Sequence, residues 1–148
     1  MLFTKRGERV TDEAAALAVA RHPGVVELVD AADGTLRTRM VDGRPVDELA
    51  ALPAGEVAGL AAAVATTLAD LHDLGVVHGG IDATHVLMTA DGRPVLCSLG
   101  RGGDPADDVA ALGRLVSALL DAAPPEARGG VRARRLGRRR LGPMLAPP

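Results

Sequence analysis

The sequence predicts an α+β fold, and three observations carry that prediction. Two Asp-Gly pairs, Asp33-Gly34 and Asp91-Gly92, each sit between runs suited to strands, as tight hairpin turns do. Apolar residues at Val57, Leu60, Ala61, Val64, Leu68, Leu71 and Leu74 recur at three- and four-residue steps, the stripe of one long helix. Helices and strands come in groups, which argues against alternating βαβ units.

In chain order, Met1 to Lys5 reads as a short strand, followed by a turn at Gly7. Thr11 is placed to cap a helix whose first turn holds Asp12 and Glu13 near the positive end of its dipole, and which runs to about Ala20. His22-Pro23-Gly24 ends it. "VVELVDA" and "TLRTRMV" then make a hairpin across Ala32-Asp33-Gly34, where Asp-Gly tolerates positive φ. "DGRPVDELAAL" turns the chain into a short helix. The long helix covers Ala54 to Leu74 and stops at Gly75. "HVLM" and "PVLC" form a second hairpin around "TADGRP", and after a Gly-rich connection "DDVAALGRLVSALL" is helical, with Asp107 and Asp108 in its first turn. No internal repeat is visible.

The 148 residues suffice for one core, or for part of a larger domain. Hydrophobic residues make up 47%, yet Phe3 is the only aromatic, so Leu, Val and Ala must fill the interior. The formal net charge of −2 hides a division: residues 1–125 carry 10 basic and 18 acidic side chains, and residues 126–148 carry 7 arginines and one acid. The lone Cys97 excludes an internal disulfide and fits a reducing compartment. "MLFTKRGERV" has no apolar region of signal-peptide length. The longest apolar stretch, Val57 to Leu71, is amphipathic and too short to span a bilayer, so a soluble cytoplasmic protein is expected.

"LHDLGVVHGGIDATHVLMTADGRPVLCSLG", Leu71 to Gly100, resembles the segment of bacterial serine/threonine protein kinases that runs from the end of a long helix through the catalytic loop to the magnesium-binding motif. "EAAALAVARHPGVVELVD" resembles the family's regulatory helix, His-Pro turn and strand, and "MVDGRPVDELA" its hinge. "DDVAALGRLVSALL" resembles the later buried helix that begins with Asp108. The likeness covers roughly Leu2 to Leu120 in the family's order. It implies a partial protein-kinase-like fold over residues 1–122, with a small-lobe part at 1–41, a reduced helical lobe at 42–122 and an Arg/Gly/Pro-rich tail at 123–148.

Against that pattern the reacting groups are missing. Phosphoryl transfer in this class uses the acid of H-R-D-L-x-x-x-N for the substrate hydroxyl, its Asn for one metal ion and the Asp of D-F-G for magnesium. The matching positions read His78, Gly79, Gly80, Ile81 and, for the Asn, His85; Ser98, Leu99 and Gly100 replace D-F-G. Gly80 accepts no proton, imidazole is a poor magnesium ligand, and a neutral hydroxyl does not balance a metal–triphosphate pair. Asp82 stands where the family often has a lysine, which reverses the charge. Lys5 and Glu13 match the strand lysine and helix acid that hold the nucleotide, at a shorter spacing than usual. His78 itself reads as a framework histidine, and His78, Asp82 and His85 fit no named zinc spacing. No Gly-rich loop precedes Lys5 and only seven residues separate Gly100 from Asp108, so a truncated gene product with an open sheet edge is expected.

The resemblance and its losses imply a pseudokinase, a binding or regulatory module with no cofactor, whose partner is a protein docking on the sheet edge or the groove. The alternative is a weak serine/threonine kinase that binds ATP with magnesium through Lys5 and Glu13. A third reading gives "RARRLGRRRLG" polyanion binding, although its glycines and lack of aromatics read as a disordered tail with no specific nucleic-acid target.

Overall fold

A computed structural model describes residues 1–125. The arginine cluster, and with it the expected tail and its polyanion binding, lies outside the described residues. The chain forms β1 (Leu2–Arg6), α1 (Val10–Val19), β2 (Leu28–Ala32), β3 (Thr35–Arg39), β4 (Gly43–Pro45), a 3₁₀ turn (Val46–Glu48), α2 (Ala54–Asp73), β5 (Val86–Thr89), β6 (Pro94–Leu96) and α3 (Pro105–Ala122). Two antiparallel three-stranded sheets result, in the orders β1-β3-β2 and β4-β5-β6. The mixture is α+β, as the sequence predicts.

Alternation builds the first sheet. Leu36 and Thr38 of β3 point inward and are buried while their neighbours face outward. Asp33 and Gly34 carry φ of 50° and 68°, the left-handed pair that a two-residue hairpin requires. The predicted strand "VVELVDA" divides in two. Val25 and Val26 are buried and attach to the second sheet, with Val26 N donating to Leu96 O at 3.0 Å, and β2 proper starts only at Leu28. The division ties the two sheets together. β1 pairs with β3 alone, so its other edge is open among the described residues.

Three elements differ from expectation. Thr11 does not cap α1: the cap position is Arg9, without a side-chain bond, because Val10 must enter the helix to reach the core. Gly43–Pro45, expected as a turn, is a strand on β5; a Cβ at Gly43 would lie 2.7 Å from Met88 O, so glycine permits the pairing, and Pro45 sits on an edge where its missing N–H costs nothing. The last helix starts at Pro105, two residues early, because Asp104 and Asp107 form a reciprocal capping box.

α2 is the central pillar. Val57, Leu60, Val64, Leu68 and Leu71 form its buried face. Its 20 residues make it long and apolar enough to cross a membrane by length and composition, longer than the stretch read from sequence, but that apolar face packs in the core. A Schellman motif ends it: Gly75 at φ 75° donates to His72 O, and Val76 N donates to Leu71 O at 2.9 Å. The core is aliphatic throughout, and Phe3, the single aromatic, is 54% exposed.

Candidate functional site

Lys5 and Glu13 meet. Pairing of Lys5 with Leu36 fixes β1, and Glu13 shares the buried stripe of α1 with Val10 and Leu17. Lys5 Nζ donates to Glu13 Oε2 at 2.6 Å, with the Glu13 side chain 7% exposed and that of Lys5 34%. An exposed pair of this kind would contribute about 0–1 kcal/mol. A carboxylate this buried depends on its partner far more.

The loop after α2 is organised from within. His78 is fully buried; its Nε2–H donates to Cys97 O at 2.9 Å and its Nδ1 accepts from Gly80 N at 3.1 Å. Burial pushes the imidazole down to about 4, against the opposing pull of Asp108. Asp108, buried at the start of α3, accepts from His78 N at 2.9 Å and from Gly79 N at 2.8 Å, and its Oδ2 lies 2.9 Å from His72 Nε2. His78 is therefore a framework residue.

The two glycines of "HGG" have different reasons. Gly79 has φ 75°, and a Cβ there would stand 2.2 Å from Gly102 O, so the return of the 101–103 connection leaves room for no side chain. Gly80 has ordinary φ. The three atoms nearest to a Cβ there all belong to the side chain of Arg101, with Cδ at 2.7 Å and Nε at 3.0 Å. The space a catalytic acid would enter is occupied by an arginine.

Arg101 continues to His85. Its NH2 group lies 2.9 Å from His85 Nε2, while His85 Nδ1 lies 2.9 Å from Gly80 O. With Nδ1–H donating, Nε2 accepts from the guanidinium, and both ring nitrogens are engaged. Asp82 is turned to local work: Oδ1 accepts from Thr84 N, the Thr84 hydroxyl and His85 N. Burial pushes its carboxyl up, but the two Thr84 bonds and His85 outweigh this and hold it below the usual range.

Ser98 takes the left-handed conformation at φ 62°, uncommon for a residue with a Cβ. Its neighbours hold it there: Leu99 is 2% exposed in the core, and Gly100, at φ 79°, lies so close to α1 that a Cβ would be 2.8 Å from Asp12 O. Burial raises the Cys97 thiol, which leaves it a poor nucleophile.

A cleft of about 480 Å³ opens between the two sheets, lined by Val26, Leu36 and Leu87 and by Lys5, Glu13, His85 and Ser98. A smaller hollow of about 340 Å³ shares Lys5, Glu13 and Ser98 with it and adds Gly100 and Arg101. The structure thus places Lys5, Glu13 and Ser98 on both spaces, His85 on the cleft and Gly100 on the hollow, while His78 is buried and lines neither. A larger cavity of about 840 Å³, lined by Arg21, His22 and Arg93, shares Val26, Arg39, Met40 and Val41 with the cleft and none of Lys5, Glu13, His85, Ser98 or Gly100. Magnesium does not fit here. It requires several oxygen donors in octahedral array, whereas Gly80 offers none, His85 is already bonded on both nitrogens and Ser98 brings a neutral hydroxyl. Among the described residues no three His, Cys, Asp or Glu side chains come together to hold a metal ion. Sequence reasoning missed Arg101; the available signal was a cation directly after the degenerate D-F-G position.

No protein-family model matches the chain, and no curated protein matches it. Among solved structures it is similar to the kinase domain of Mycobacterium tuberculosis PknI, crystallised as a point mutant, at 27% identity and a TM-score of 0.66. The match covers 79% of this chain and 58% of that one, so the chain spans less than two thirds of that domain. The fold is protein-kinase-like and partial.

Proposed function

We propose that the chain is a bacterial, cytoplasmic pseudokinase module, a kinase-like scaffold without phosphotransfer that acts by binding. The observation that carries this reading is the arginine in the acid's place: Arg101 lies against Gly80 and bonds His85, so a guanidinium stands where a catalytic carboxylate would. Losing one preorganised stabilising group costs on the order of 10²–10³ in rate, and groups acting as a unit fail together. The proposed partner is another protein, and the open edge of β1, flanked by exposed Leu2 and Phe3, is the surface offered to it.

One observation favours a second reading, a weak serine/threonine kinase that binds ATP with magnesium. Lys5 and Glu13 form the 2.6 Å pair that such an enzyme needs. Incubation with γ-labelled ATP, magnesium and generic protein acceptors separates the two. Under the first reading, label on the acceptors and on the chain itself equals that of Lys5→Met; label that depends on Lys5 establishes the second.

A further inference from the structure

We infer that the cleft takes an anionic ligand of the nucleoside polyphosphate class without a divalent cation, the Arg101 guanidinium supplying the positive charge. This rests on the proposed function in one respect only, that no phosphotransfer takes place in the cleft. A metal that neutralises a polyphosphate needs oxygen donors, and the positions that would provide them hold Gly80, His85 and Ser98. Arg101 fills that gap with a fixed cation. The guanidinium is held on His85 Nε2 at 2.9 Å, and contact with Gly80 leaves it beside the hollow that Lys5 and Ser98 also line. That hollow is lined by Lys5, Arg6, Arg9 and Arg101 against Glu8 and Glu13, so cations outnumber acids. Guanidinium groups bind phosphate oxygens in paired hydrogen bonds without help from a metal.

The second compartment sets the rest of the ligand. The cleft of about 480 Å³ is lined by Val26, Leu36 and Leu87 and shares Lys5, Glu13 and Ser98 with the hollow. A flat apolar head fits the first compartment and an anionic tail the second. The metal dependence then has an inverted sign: magnesium on the polyphosphate masks the charge that Arg101 meets, and no donor in the protein compensates.

Thermal-shift and calorimetric titration of the full chain with ATP tests this, in EDTA and then in excess magnesium, with adenosine as the uncharged comparison. Saturable binding is expected in EDTA, weakened about threefold to tenfold by magnesium, and weakened about tenfold by Arg101→Gln, roughly 1.4 kcal/mol. Adenosine binds more weakly than ATP in EDTA. Absence of binding in EDTA, or binding that requires magnesium, overturns the inference. If Arg101→Gln fails to fold, judged by its melting transition without ligand, the magnesium comparison on the native chain still decides. Label transfer in parallel samples defeats the proposed function whatever the binding result; no transfer and no binding defeats only this inference.

Discussion

His78 and the glycines after it carry the most at the scale of single residues. Imidazole in the unfolded chain titrates near its ordinary 6.5, whereas burial lowers His78 to about 4 in the fold. The unfolded state therefore binds more protons between these values. Stability contributed by the neutral ring is fully present above about pH 6.5 and is lost as pH falls towards 4, by up to about 3 kcal/mol. Urea unfolding at pH 7 and pH 4.5 measures this, and His78→Gln should flatten the profile. Gly79 and Gly80 give a sharper contrast. Gly79→Ala combines a positive φ with a backbone clash and should cost at least about 2 kcal/mol. Gly80→Asp meets the movable end of Arg101 and should change stability by less than about 1 kcal/mol while restoring no phosphotransfer. The equality of these two costs would refute the assignment of Arg101. From the sequence both glycines read alike as lost catalytic groups, since the approach of Gly102 depends on how a distant connection folds back.

Between elements, two junctions hold the site. Asp108 fastens the first turn of α3 to the loop after α2 through His78 N and Gly79 N, and to the last turn of α2 through His72. Asp108→Asn presents an N–H₂ group where a donor already points, and should destabilise by about 2–4 kcal/mol, read from denaturant midpoints at constant slope. Lys5 and Glu13 join β1 to α1. A double-mutant cycle with Lys5→Met and Glu13→Gln should give a coupling of about 1–3 kcal/mol, and a value below about 0.3 kcal/mol would reduce the pair to a surface contact. Elements defined by local chemistry were legible in the sequence: the Asp33-Gly34 hairpin, the α2 stripe and its Gly75 stop. Those set by distant partners were not. β4 exists because β5 lies beside it, and Val25 and Val26 leave the predicted hairpin because β6 accepts them.

For the whole molecule, the protein-kinase-like shape stands on an aliphatic core, with its single aromatic left outside. The scaffold and the missing acid could both be read from residue order, because each motif position is a matter of spacing. What replaces the acid could not, because Arg101 lies 21 residues from Gly80 and reaches it only through the fold. Under the proposed function this shape persists without the chemistry. Magnesium-dependent release of labelled γ-phosphate from ATP, to water or to the chain, tests it most directly because no acceptor has to be guessed. Release indistinguishable from that of Lys5→Met is expected, and release that falls when Lys5 or Glu13 is replaced would contradict the proposed function.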